Sequence, residues 1–332
     1  MGVGGVDAGR HSAGCEQDIV PIPSPADRPS ARMASLPASR RLRLIVNPAA
    51  GGGRAAALLP GVEAALRGHE LAFRTERTTS AEHARELAVE AHRAGEVPVT
   101  LSGDGLVGCV AGALSALSTG EAPLMGVLPG GRGNDFVRMT GIPSGAVAAC
   151  AVLAHGVPTP IDLGSVDGSP FVGIASVGFD SEANVIANAA PARLGNLVYA
   201  YGALRALISY RHATFTVEAD GDRRTFTGWS VVAANASTYG GGMVMAPAAR
   251  LDDGLLDVVM SERTSRAHFL RTLPRIFKGT HVEDPSVRVG RARELRVSAD
   301  RPFVVYADGD PIGTLPVTIG VLPGAVRVLL PA

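Results

Sequence analysis

From Arg41 onward, short apolar runs alternate with stretches of helical spacing. "RLRLIVNPAAGGG", "LAFRTERT", "VPVTLS" and "LMGVLPGGRGND" each read as a strand that ends in a turn, because a brief apolar run bounded by Gly, Pro or Asn marks a buried strand. Between them, "GRAAALLPGVEAALRG", "SAEHARELAVEAHRAG" and "LVGCVAGALSALSTG" carry apolar residues at helical intervals. Strands alternating with helices predict a parallel sheet covered on both faces, an α/β domain over residues 41–160. From about Ile161 the texture changes to strand-like pieces such as "PFVGIASVGF", "ATFTVEAD", "RTFTGWSVVAANAS", "GLLDVVM" and "FVVYADGD". They predict a β-rich second domain over 161–314, with "ARLGNLVYAYGALRALISY" as its one clear helical insertion. The last strand, about residues 315–331, is expected to return to the first domain. Residues 1–40, rich in Gly, Ala, Ser and Pro, show neither period; a disordered arm is expected there, with Met33 as an alternative start.

Composition narrows the function. A chain of 332 residues suits two domains, since single cores stop growing near ~250–300 residues. Basic and acidic residues balance at 31 each, which lacks the basic excess of a nucleic-acid binder. No apolar run approaches the ~20 residues that span a bilayer, so a membrane substrate would be met from the side. Cys15, Cys109 and Cys150 are odd in number and widely spaced, against a disulfide framework and in keeping with a reduced cytoplasm. The only lysine, Lys278, is followed by "GTH", which excludes a Walker A loop and leaves neither a pyridoxal nor a protein-kinase lysine. Phosphate handling would fall to backbone amides, hydroxyls, arginine and metal.

One stretch poses a chemical question. "LSGDGLVGCVAGAL" matches G-x-G-x-x-G at Gly103, Gly105 and Gly108, yet Asp104 puts a negative charge where such a loop offers N–H groups to phosphate. A dinucleotide site also wants an acid about 20 residues further on, and "APLMGVLPGG" supplies none. Either the loop holds no phosphate or a metal ion stands between the carboxylate and the anion. Two other glycine-rich turns follow strands, "NPAAGGGR" and "LPGGRGNDF", and right-handed crossovers would bring all three to one crevice. Taken singly, each of these is a plain turn, as is "DDG".

Taken together, the three loops resemble the diacylglycerol kinase catalytic domain of the bacterial and sphingosine kinase type, with its N-P-x-S/A-G, G-G-D-G-T and L-P-x-G-T-x-N-D-F-A-R patterns. "ASVGFDSEA", "NASTYGGGMVMAPAARLDDGLLDVV" and "YADGDPIG" are similar to later segments of that family, so the likeness runs nearly from residue 41 to the end. NAD kinases share a G-G-D-G loop on a similar architecture but not the L-P-G and Y-G-G-G segments. The resemblance implies an α/β nucleotide-binding domain of the NAD kinase/lipid kinase kind plus a sandwich-like β domain, and an ATP- and Mg²⁺-dependent kinase acting on diacylglycerol or a related lipid. It implies ATP contacts from Asn47, Pro48, Ala49, Ala50, Gly51, Thr78, Ser102, Gly103, Asp104, Gly105, Leu106, Val107, Gly108 and Arg132, with Asp104 acting through Mg²⁺ and its waters. Asp310 would be the general base, at the Glu position of D-G-E, with Asp308 its rival in the same turn. Asn134 and Asp135 would order the network between loop and cleft. Asp253, with the carbonyls of Arg250 and Leu255, would hold a structural Mg²⁺.

Four departures stand out: Ser102 for the first Gly, Leu106 for the Thr, Gly108-Cys109 for Asn-Glu, and Arg132 for the Thr of L-P-x-G-T. The expected setting is cytoplasmic and peripheral at the membrane, with a lipid partner, no nucleic acid and no transmembrane segment; a homodimer stays open. The alternatives are a catalytically weak nucleotide or lipid sensor and an NAD(P)-binding Rossmann protein.

Overall fold

The computed structural model describes residues 41–117, 120–188 and 197–332. The arm expected over residues 1–40 lies outside them. Four strands, β1 (Leu42–Val46), β2 (Phe73–Arg77), β3 (Val97–Ser102) and β4 (Leu124–Pro129), pair in parallel in the order β2-β1-β3-β4. Every residue of β1, β3 and β4 is buried, as a sheet covered on both faces requires. Even Arg43 lies inside, its guanidinium paired to Glu96 at 2.7 Å and Glu90 at 3.1 Å. The cover comes from α1 (Arg54–Gly68), which packs with α5 (Ala146–His155), and from α2 (Ala81–Arg93), which packs with α3 (Asp104–Ser115). The short α4 (Asp135–Thr140) follows the loop after β4.

Antiparallel strands make the rest. β5 (Val157–Val166) and β6 (Ser169–Phe171) lead to β7 (Ile174–Gly178), which pairs with β9 (Asp222–Ala234). β8 (Ala213–Ala219) also pairs with β9, as does β12 (Leu256–Glu262), and β10 (Thr238–Tyr239) with β11 (Met243–Val244) makes a small separate ribbon. β13 (Val287–Ala292), β14 (Glu294–Ala299), β15 (Val304–Ala307) and β16 (Asp310–Thr314) complete this part. Its core gathers Phe179, Tyr210, Phe215, Trp229 and Phe303, and is distinct from the core of the parallel sheet. Tyr210 belongs to this packing and donates its hydroxyl to the Trp229 carbonyl at 2.6 Å, whereas Tyr201 is exposed.

The longest strand, β17 (Val317–Leu330), joins the two cores. Its first half pairs with β14 and puts Val317 and Ile319 in the second core; its last part runs parallel to β4 and puts Val326, Val328 and Leu329 in the first. The register shifts between Leu322 and Val326, where the strand changes core.

Among the described residues the second part contains three α-helices where the sequence pattern shows one. Besides α7 (Leu197–Ser209) there are α6 (Phe179–Asn188) and α8 (Arg266–Ile276). In α8 the run of arginines and Pro274 mask the apolar spacing, but Ser265 accepts the His268 N–H as an N-cap and Pro274 falls in the last turn. Among the described residues no helix is long and apolar enough to cross a membrane.

Candidate active site

The three glycine-rich turns meet at the C-terminal edge of the parallel strands. After β1, Asn47 Oδ1 accepts the Ala49 N–H at 3.0 Å and starts a tight turn that ends in Gly51, Gly52 and Gly53, at φ of 63°, 72° and 93°. Those left-handed values favour glycine, and so does the space. A Cβ on Gly51 would lie 2.8 Å from the Gly130 carbonyl oxygen, and one on Gly52 would lie 3.3 Å from Arg132 Nη2. A Cβ on Gly131 would run into the backbone of Gly103. The buried Thr78 donates its N–H to the Val46 carbonyl at 2.8 Å, directly beside Asn47.

Asp104 opens α3, and its carboxylate is turned to the neighbouring loop. Oδ2 accepts the Asp135 N–H at 3.0 Å and Oδ1 accepts the Phe136 N–H at 2.9 Å. It therefore caps α4, whose first N–H groups have no carbonyl of their own helix to meet. Asn134, at φ 51°, closes the same loop with bonds to the N–H and C=O of Gly131 at 2.9 and 3.1 Å. Asp135 ties α4 to the β10–β11 ribbon: Oδ1 takes Arg138 Nη1 at 2.7 Å, and Oδ2 takes the N–H of Gly241, in the turn between β10 and β11, at 2.6 Å. Burial pushes the Asp135 carboxyl above its ordinary range, and the charge of Asp104 adds to this. Leu106 and Val107 point into the core, and their N–H groups donate to the Gly103 carbonyl inside the helix. The first turn thus offers phosphate the amides that precede Leu106, and no side-chain hydroxyl at that position.

From the other side comes the turn between β15 and β16. Asp308 and Gly309 have φ of 52° and 94° and Ala307 faces Asp310, the two-residue hairpin that Asp-Gly favours. Asp308 accepts the N–H groups of Val172 at 2.8 Å, Gly173 at 2.9 Å and Ile174 at 3.1 Å. A Cβ on Gly108 would lie 3.2 Å from Asp308 Oδ2, so glycine at this departure from the family pattern lets the turn approach α3. Burial pushes the Asp308 carboxyl up to about 6, Asp104 adds to the rise, and the three N–H groups oppose it. Asp310 is exposed at the start of β16, near enough to α3 for its charge to bear on Cys109.

The "RLDDG" turn lies apart from the phosphate loops. Asp253 Oδ1 accepts the Leu255 N–H at 3.1 Å, while Arg250 pairs with Asp252 at 3.0 Å. The anchor of this turn is a residue that the motifs do not mark: buried Asp162 accepts Gly254 N–H and Gly324 N–H, each at 2.7 Å, and donates its own N–H to the Leu251 carbonyl. Among the described residues no three His, Cys, Asp or Glu side chains converge as a metal cage. Mg²⁺ needs none, because it keeps waters and takes one or two carboxylates along with phosphate oxygens. Carboxylate and carbonyl oxygens are the donors it prefers, and burial pushes the Asp253 carboxyl up in the absence of such a partner.

A second, half-buried acid supplies a pH prediction. Asp180 opens α6 with one oxygen unpartnered, and burial pushes it up to about 6. A folded-state value above the unfolded one means that folding takes up a proton between the two, so this contribution falls as pH rises from about 4 to about 6 and then levels. From 3.8 to about 6 corresponds to roughly 3 kcal/mol for the group. His212 and His281, pushed down by burial, act with the opposite sign as pH falls below their ordinary range. The difference between wild type and Asp180→Asn in urea unfolding at pH 4 to 7 isolates the aspartate: wild type should lose stability relative to the variant as pH rises. Parallel curves would refute the assignment.

The family described as the diacylglycerol kinase catalytic domain matches residues 41–166, and the YegS C-terminal NAD kinase beta sandwich-like domain matches residues 173–330. The chain is 33% identical over 299 residues to a diacylglycerol kinase of Mycobacterium tuberculosis, covering 88% of this chain and 95% of that protein. It is 30% identical over 301 residues to a diacylglycerol kinase of Bacillus subtilis, covering 88% and 97%. A crystal structure of a diacylglycerol kinase from Bacillus anthracis superposes with a TM-score of 0.68 at 19% identity, covering 88% of this chain and 97% of that one, a likeness of fold.

Proposed function

The chain belongs to the diacylglycerol kinase family of lipid kinases, and from that premise we propose that it transfers the γ-phosphoryl group of ATP to the hydroxyl of diacylglycerol or a closely related lipid, with Mg²⁺. The observation that carries the reading is the meeting of three glycine-rich turns with the Asp308-Gly309-Asp310 hairpin at the N-terminal end of α3. The amides at the start of α3 and that of Gly51, which the internal bonds of the turns do not use, receive the nucleotide with Asn47, Thr78 and Ser102, and Arg132 offers the phosphates a fixed positive charge in a chain with one lysine. Asp310 takes the proton of the lipid hydroxyl as its oxygen bonds to the γ-phosphorus and the bond to ADP breaks. Mg²⁺ on the phosphates would offset the charge that gathers there, with Asp104 holding it through water. That placement suits a crevice where Asp104 already raises both Asp135 and Asp308.

Purified protein, labelled ATP and a panel of hydroxyl lipids in mixed micelles test the reading. Label should enter diacylglycerol or a neighbour in the panel. ATP binding with no labelled lipid favours the second reading, a nucleotide or lipid sensor, to which the buried Leu106 lends weight by leaving no hydroxyl at its position.

The Asp253 turn has its own test. With Asp253 and the carbonyls of Arg250 and Leu255 as ligands of a structural Mg²⁺, the ion binds the native state alone and stabilises it by mass action. Asp253→Ala should melt several degrees lower and lose most of the rise in Tm that Mg²⁺ gives the wild type. A wild-type melting curve indifferent to both Mg²⁺ and chelator would mean a plain turn.

A further inference from the structure

Away from the crevice, the end of α7 meets the start of α8. Arg266 Nη2 donates to the Tyr210 carbonyl at 3.2 Å, and Phe179 packs edge-on against both Tyr210 and Phe269. Over this junction opens a groove of about 830 Å³, lined by Arg211, Arg263 and Arg266 and by the hydroxyls of Thr227, Thr264 and Ser265. No carboxylate lines it, and none of its three arginines is in an ion pair among the described residues. His212 also lines it, its Nε2 buried without a partner.

α8 continues the same chemistry. From Arg263 to Val282 the chain holds no Asp or Glu. Leu270 and Phe277, two turns apart on one stripe, are 53% and 60% exposed, with the exposed Arg271 and Lys278 beside them. A soluble phosphate or a nucleic acid would engage the arginines and leave Leu270 and Phe277 in water. A phosphate-bearing lipid surface engages both, since amphipathic helices with basic polar faces and Leu or Phe on the other lie in such interfaces.

We propose that the Arg211–Arg263–Arg266 groove takes the phosphate headgroup of an anionic phospholipid while Leu270 and Phe277 enter the apolar layer, docking the protein on an anionic bilayer through α8. This deepens the lipid-kinase reading by saying how the enzyme meets the surface that carries its acceptor, and its test does not depend on turnover.

The test is co-sedimentation of the full chain with vesicles of phosphatidylcholine alone or with a third of phosphatidylglycerol. Binding should need the anionic lipid. Each basic residue near such a surface contributes about fivefold, so the double variant Arg263→Glu/Arg266→Glu should bind at least ~30-fold more weakly. Leu270→Ser/Phe277→Ser should weaken binding with the charge intact. These positions are exposed, and a melting curve close to wild type verifies each fold. If a variant fails that check, release of wild type by raising NaCl from about 0.05 to 0.5 M gives the same answer without substitution. Equal binding to neutral vesicles, or undiminished binding of the charge-reversed variant, overturns the proposal. So does inorganic phosphate that binds the arginines when vesicles do not, which would mean a soluble phosphate site. Turnover on micelles without vesicle binding sinks this proposal and leaves the kinase; vesicle binding without turnover on any lipid does the reverse.

Discussion

Asp310→Asn is expected to turn over at between about a hundredth and a ten-thousandth of the wild-type rate, with KM for ATP little changed, because a positioned base contributes ~10²–10⁴-fold. The variant should fold: Asp310 is exposed, and its side chain makes no hydrogen bond among the described residues. Asp310→Glu, with the residue usual in the family, should keep substantial activity. Asp308, two residues away, behaves differently. Its carboxylate holds three backbone N–H groups, so Asp308→Asn loses acceptors for a buried strand start and should lower Tm as well as rate. That contrast separates base from clamp. A folded Asp310→Asn protein that works at more than about a third of the wild-type rate places the base elsewhere.

Asp104→Asn carries the second large effect. The amide keeps the shape, but one of its two acceptor oxygens becomes a donor that faces the N–H of Asp135 or Phe136. Loss of such a cap costs about 1–2 kcal/mol, so Tm should fall by several degrees. Turnover should drop below detection while ATP binding survives in part, since the loop amides remain and the charge proposed to hold Mg²⁺ through water is gone. The like-charge pressure on Asp308 goes too, and its carboxyl should titrate lower in the variant. Near-normal turnover with Mg²⁺ would remove Asp104 from the mechanism.

Much of this was legible in the sequence where the physics is local. Buried parallel strands announce themselves as unbroken apolar runs, and the glycines of the three loops mark places where one backbone touches another. The residues that went unmarked act at a distance. Asp162 meets Gly254 and Gly324 at separations of 92 and 162 residues, and Asp308, marked as a rival base, clamps Val172 at a separation of 136. An isolated aspartate beside a strand carries no sign of such a partner. Asp104 is visible in the sequence, and its capping of α4 is not, because the two N–H groups it accepts lie 31 and 32 residues further on. α8 was hidden for another reason: it exposes apolar residues that a core-facing pattern would bury.

The passage of β17 through both cores has a consequence for how the protein is made. Domains tend to fold as units, the N-terminal one first, while the chain is still being synthesised. Here β4 pairs with β3 on one side and with Arg327 and Val328 of β17 on the other, so its outer edge stays open until β17 has been made. A nascent chain therefore carries an unpaired strand edge, the kind that recruits other chains, from the time β4 is made until β17 follows. A chain cut short before Arg327 would leave that edge open for good.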